Sequence, residues 1–300
     1  MTKMKKFFNI IAVVLSVAVA ASCSMFKLDN YDGPNAKVSG KLVDAETGEL
    51  IGVEAAFSQE IDWANVDWAT WTFPMITISK GSLVVNELGW KDKEGKEVYE
   101  DQRWFIRFDG RYRNDLIFAG DYKVFFKELP CYENDQVLTL KEGENNNQDL
   151  KTLPFCRIVD PKISYDAANN KVKATFKVEL GDPSKANAIL NLKLCGNVQL
   201  FVGATVFNMV SSDDAGAKKD GFSWGDMVFP ACQPGEEVTL EINGNDPKNA
   251  DLFKYKQDRY FRIAAMASGN GYNTQQAYNF SPIYKVSADF STIEEYKWSE

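Results

Sequence analysis

Lys171 to Leu180 alternates strictly. Val172, Ala174, Phe176, Val178 and Leu180 face one way; Lys171, Lys173, Thr175, Lys177 and Glu179 face the other. A period of two with one apolar side predicts a strand with one buried and one wet face, as in an antiparallel sheet. The pattern recurs in Trp104, Ile106 and Phe108, in Tyr122, Val124 and Phe126, and in Val238, Leu240 and Ile242. Leu190, Leu192 and Leu194, Val198 to Val202, and Phe261 to Met266 continue it. Shorter β-compatible runs are Lys37 to Val43, Ile76 to Ile78 and Leu83 to Val85, bounded by Pro74, Gly81 and Gly89. Asp44-Ala45-Glu46-Thr47-Gly48 and Asp109-Gly110 predict turns. Lys141 to Gln148 and Ser211 to Gly221 are too polar to pack and predict loops. Only Ser291 to Trp298 predicts a helix. Many short strands separated by turns predict an all-β chain with a β-sandwich in each half, the second starting near Pro154.

The beginning of the chain follows a different pattern. Lys3, Lys5 and Lys6 precede an apolar run from Phe7 to Ala21, and Ala20-Ala21-Ser22 lead into Cys23. A charged start, a short apolar stretch and small residues before a cysteine predict a bacterial lipoprotein signal. The run is shorter than the roughly 20 residues a membrane-spanning helix needs. The expected organisation is a signal at 1–22, a lipidated tether at 23–36 beginning with acylated Cys23, and domains at 37–153 and 154–300. The expected location is the outer membrane, lipid-anchored, at the cell surface.

Charge and composition narrow the function. The chain has 34 basic and 42 acidic residues, a net charge of −8, and the signal would remove three of the basic ones. An acidic chain has no electrostatic reason to seek nucleic acid. There is no histidine. That excludes Ser-His-Asp and Cys-His nucleophile activation and imidazole zinc sites. No Cys-x-x-Cys and no phosphate-cradling Gly-rich loop ending in Gly-Lys-Ser/Thr occurs. No cofactor or metal is expected. Cys131, Cys156, Cys195 and Cys232 remain. In an exported protein they can form two disulfides, Cys131–Cys156 and Cys195–Cys232, or stay as small buried hydrophobes.

Three segments carry a resemblance. They are Gly40-Lys41-Leu42-Val43-Asp44-Ala45-Glu46-Thr47-Gly48-Glu49-Leu50, then Arg107 to Asn114 running on through Ala119-Gly120-Asp121-Tyr122, and Tyr278-Asn279-Phe280-Ser281. Together they resemble the two-domain Bacteroidetes lipoproteins of domain of unknown function 3823. The resemblance implies a transthyretin- or carboxypeptidase-regulatory-like sandwich followed by an immunoglobulin-like one. It implies no catalytic residues, and a place beside outer-membrane glycan importers of the starch-utilisation type. Asn114 reads as a brace for a loop backbone. The chain departs from the family in a longer, tryptophan-rich stretch after the first turn.

That stretch, Asp62 to Phe73, sets Trp63, Trp68 and Trp71 among Asp67 and other polar residues. Sugars present apolar C–H faces ringed by hydroxyls, so flat aromatic platforms beside carboxylate acceptors suit them. The alternative is that the indoles fill the core. Trp224 between glycines, and Tyr272 in the polar loop Gly269 to Gln276, are weaker ligand candidates. Asn243-Gly244-Asn245-Asp246 carries oxygen ligands without the fixed spacing of a calcium loop. Two carboxylates can hydrolyse a glycoside without histidine, but no motif marks such a pair. The sequence therefore predicts a non-catalytic lipoprotein that holds glycan at the surface for an import system. The alternative is an adaptor without carbohydrate affinity.

Overall fold

The computed structural model describes residues 33–54, 56–61, 66–73, 75–211, 219–220, 222–224, 227–269 and 277–298. Cys23, Trp63 and Tyr272 lie outside them. The described chain is all-β apart from one short helix, Pro247–Lys254. Its strands form several separate sheets that pack as sandwiches. None of the described helices is long and apolar enough to cross a membrane.

In the first sandwich the strand Ala36–Asp44 pairs antiparallel with Arg111–Ile117 and parallel with Leu150–Thr152. The facing sheet runs Gln102–Phe105, Ser82–Glu87, Gly120–Phe125, Gln136–Leu140. Between them lies one buried cluster that includes Val38, Leu42, Leu83, Trp104, Tyr122 and Leu150. The alternation dictates this: Tyr122 and Val124 point inward while their chain neighbours are partly wet. The second sandwich opposes Cys156–Asp166, Lys171–Leu180 and Glu237–Asn243 to a sheet centred on Ala186–Asn197 and Arg259–Gly269. Val172, Ala174, Phe176, Val178, Leu192, Ile263 and Val286 fill its core. Tyr132, from the first half of the chain, belongs to this second core.

Four expectations are corrected. Val198 to Val202 is not a strand; the chain turns after Asn197, whose amide donates to the Phe201 carbonyl at 3.1 Å. Lys141 to Gln148 is not merely a loop: Gly143–Asn145 pairs parallel with Ala36–Val38, and Asn145 Nδ2 donates to Lys37 O at 3.1 Å. Side-chain amides, not apolar burial, hold this polar run. Ser291 to Trp298 contains the strand Ile293–Glu295 instead of a helix. The helix lies at Pro247–Lys254, where Asp246 accepts from the Lys248 amide at 2.9 Å and Pro247 opens the first turn. Asp246 thus caps a helix, and among the described residues no group of three or more acidic or thiol side chains could hold a metal ion.

The cysteines also need correcting. All four are buried and none is joined in a disulfide. Cys131 belongs to the first core and Cys156 to the second. Cys232 is in that second core, while Cys195 lies in a separate cluster with Val202, Ala264 and Ile283. Each expected pair is therefore split between two clusters. Burial pushes the Cys195 thiol up to about 12 and the Cys131 thiol well above its usual range. Of the two readings, the small buried hydrophobe is the one observed.

Candidate functional site

The tryptophan-rich stretch is the tip of a hairpin. Ala56–Ile61 and Met75–Lys80 pair antiparallel as a two-stranded ribbon. Between them Asp67 and Thr72 exchange backbone hydrogen bonds of 3.1 and 3.0 Å. Asp67 shapes this turn with its carboxylate. Oδ2 accepts from the Thr70 hydroxyl at 2.8 Å, and Oδ1 from the Ala69 and Thr70 amides. These bonds, the Thr70 hydroxyl foremost, hold its pKa below the usual value. The carboxylate predicted as a ligand acceptor is thus also the turn's own brace.

The tip displays its rings. Trp68 is 60% exposed, Trp71 71% and Phe73 38%. They contact one another edgewise: Trp68 and Trp71 centroids lie 6.3 Å apart at 79°, and Trp68 and Phe73 6.1 Å apart at 84°. Trp71 has φ +53°, a left-handed conformation that turns the chain beneath its ring. The Trp68 and Trp71 indoles do not fill the core, and they are not coplanar. Trp224 lies on the strand Phe222–Trp224, opposite Met227, away from this tip in sequence and in strand pairing.

A second feature was not foreseen. The two sandwiches are joined by charged side chains that each capture the other's backbone. Glu54 accepts from the Ala204, Thr205 and Val206 amides at 3.1, 2.8 and 3.0 Å, and from the Thr205 hydroxyl at 2.8 Å. Arg262, 2% exposed, donates to the carbonyls of Phe108 at 2.8 Å, Val53 at 3.3 Å and Ser281 at 2.9 Å. Its guanidinium lies 4.3 Å from the Phe280 ring centroid. Burial pulls the Arg262 pKa down to about 9, against the pull of Glu54. Arg157 forks onto Asp44, with Nη2 to Oδ1 at 2.9 Å. Burial alone would raise the Asp44 carboxyl; the Arg157 hydrogen bond, with the Glu46 amide and Thr47 hydroxyl, takes it below the usual value. Asn279 accepts from the Cys156 amide and donates to the Pro130 carbonyl. Phe108, predicted to continue a core face, leaves the sheet and joins this junction.

Beside the junction lies a cleft of about 640 Å³. Its walls run from Asp44 to Gly52 and Phe108-Asp109 on one side, and from Pro154 to Pro161, Asn279 to Tyr284 and Glu295 to Trp298 on the other. The sequence signals for it were the Asn279-Phe280-Ser281 segment and the aromatic end of the chain, Tyr296 and Trp298. Neither forms a local pattern, because the cleft exists only once the sandwiches are joined.

Fold and site define an all-β, multi-domain sandwich protein with displayed aromatic rings and an aromatic cleft at its junction. No protein-family model matches the chain, and no curated protein matches it. Among solved structures, a "putative carbohydrate binding protein" from Bacteroides uniformis is 26% identical with a TM-score of 0.62; the match covers 85% of this chain and 100% of that one. A DUF3823 family protein from Bacteroides ovatus is 16% identical with a TM-score of 0.56, covering 85% of this chain and 100% of that one. One from Parabacteroides merdae is 17% identical with a TM-score of 0.55, covering 85% and 99%. The chain has the fold of the DUF3823 family, the family its sequence motifs resemble.

Proposed function

We propose that this chain is a non-catalytic glycan-binding lipoprotein. Acylated Cys23 anchors it in the outer membrane, and its sandwiches at 37–153 and 154–300 serve a glycan import system at the cell surface. The observation that carries this reading is the hairpin tip. Trp71 leaves most of its indole in water, and an apolar ring held there by a braced turn is a stacking platform for a sugar face. The name of the Bacteroides uniformis neighbour points the same way. Single-site affinity in the millimolar to micromolar range, about −4 to −8 kcal/mol, suffices when many anchored copies share one surface.

One observation favours a second reading. Rings at 79° form a knob more than a platform, and the ribbon beneath them pairs only with itself among the described residues. A knob on an open ribbon suits docking into a protein groove. Affinity electrophoresis of residues 24–300 through plant and host polysaccharides separates the two. A comparison lane carries the Trp63→Ala, Trp68→Ala, Trp71→Ala variant, with circular dichroism to verify its fold. Retardation of the parent chain by a polysaccharide supports glycan binding. Absence of retardation by every polysaccharide, with capture of an outer-membrane protein that the variant loses, supports the adaptor.

A further inference from the structure

We infer that the cleft at the sandwich junction is a saccharide site that selects neutral glycans and rejects uronate-bearing ones. This rests on the glycan-binding reading and assigns it a location distinct from the hairpin tip. The cavity, about 640 Å³, lies within the range of small-ligand sites, roughly 300–1,000 Å³. The tip's three rings meet edgewise or tilted, whereas the cleft is a concavity between the sandwiches.

Its walls supply the two chemistries a sugar needs. Phe280, Tyr284, Tyr296 and Trp298 line it, all partly exposed. Tyr296 and Trp298 meet edge to face at 5.3 Å, and the Arg107 guanidinium sits 5.0 Å from the Trp298 centroid. The rings are therefore propped by neighbours and present fixed apolar surface at little entropic cost. The charges are one-sided. Five carboxylates and two guanidiniums line the cleft. Both guanidiniums are occupied, Arg157 by Asp44 and Glu46, and Arg262 by three backbone carbonyls. Glu49, Asp160 and Glu295 stand exposed at the rim. Deeper in, Asp109 is 8% exposed, and its Oδ2 has no hydrogen-bond partner, the nearest cation being Arg111 Nε at 3.6 Å.

A ligand entering here meets acceptors and aromatic faces, with both wall guanidiniums already occupied and the nearby Arg107 stacked on Trp298. Hydroxyl groups donate to the carboxylates while C–H faces lie on the rings. A uronate would set a carboxylate against this acidic rim, where like charges repel with no paired cation to offset them. The selected class is thus a neutral saccharide.

Isothermal titration of residues 24–300 tests this with neutral gluco-, xylo- and manno-oligosaccharides and with oligogalacturonate. The variants are Trp298→Ala, Glu295→Lys, and a tip variant carrying Trp68→Ala, Trp71→Ala and Phe73→Ala. The expected result is binding of a neutral oligosaccharide by the parent and, weakened only by the loss of the tip's own stacking, by the tip variant. Affinity falls at least tenfold in Trp298→Ala and severalfold in Glu295→Lys, and oligogalacturonate does not bind the parent. Glu295 is an exposed strand residue, so its variant keeps the test open should Trp298→Ala fail to fold. Loss of neutral binding in the tip variant, with Glu295→Lys unchanged, overturns the cleft assignment while the glycan reading stands. Tight binding of oligogalacturonate overturns the charge selection. No binding of any saccharide overturns the glycan reading, and the cleft assignment with it.

Discussion

Glu54 and Arg262 each solve a burial problem with the other sandwich's backbone. A buried charge must be matched by hydrogen bonds, and here three amides and a hydroxyl meet the carboxylate while two carbonyls of the other sandwich and the Ser281 carbonyl of its own meet the guanidinium. Replacing Arg262 by Met leaves those carbonyls without their donor and removes the cation whose field reaches Glu54. The expected cost is about 3–5 kcal/mol, read from the urea midpoint at constant slope. Asp44 gives a pH signature. Its folded pKa is depressed, so its contribution is fully present above the usual carboxylate value near 3.8 and is lost as pH falls through the folded value. Asp44→Asn should flatten the acid limb of stability below the usual carboxylate value near 3.8, measured by urea denaturation. At this scale the sequence was partly legible. Asn279 and Ser281 were visible as a motif, and the structure gives them junction hydrogen bonds. Glu54 and Arg262 had no local signal, since their partners across the junction lie about 150 residues or more away in the chain.

Elements were legible where one face is apolar. Lys171–Leu180 forms a strand with those bounds, because alternation alone determines which side is buried. Gly143–Asn145 was hidden, because amide side chains secure it, and so was the short helix, whose cap precedes a mostly polar run. The hairpin tip was legible in composition but not in geometry. Its rings could have gone inward; the Asp67 turn and the positive φ of Trp71 send them outward. Trp71→Gly separates strain from function. Glycine adopts φ +53° without penalty, so the ribbon should unfold no earlier than in Trp71→Ala. If the tip contributes to glycan retention, both variants should lose that contribution equally. Thermal melting and affinity electrophoresis of the two variants check this.

At the scale of the whole molecule, the junction should make two sandwiches unfold as one. Gly52 lies where an added Cβ would land on Arg262 Nη2 and 3.0 Å from the Phe108 carbonyl. Gly52→Ala should therefore loosen the junction and split one calorimetric transition into two. Alkaline pH should weaken the whole. Burial holds the Cys195 thiol and the Tyr122 and Tyr284 phenols up to about 12, and raises Cys131, Cys156 and Tyr112 as well. Raised folded values mean stability that is intact below pH 9 and lost as pH rises toward 12. Arg262, depressed to about 9, and Arg259, also lowered by burial, work in the opposite direction, as two groups against these six.

Glycan binding by this joined pair of sandwiches can be read directly from its stability. A ligand that binds only the folded chain raises its stability, by about 2.7 kcal/mol at a hundred times its dissociation constant, or several degrees of Tm for a chain of this size. Thermal unfolding of residues 24–300 should therefore be recorded against graded neutral and acidic saccharides. A neutral saccharide should raise Tm in a concentration-dependent way, and a uronate should leave it unmoved. An unmoved Tm across all saccharides, at concentrations well above millimolar, would contradict glycan binding.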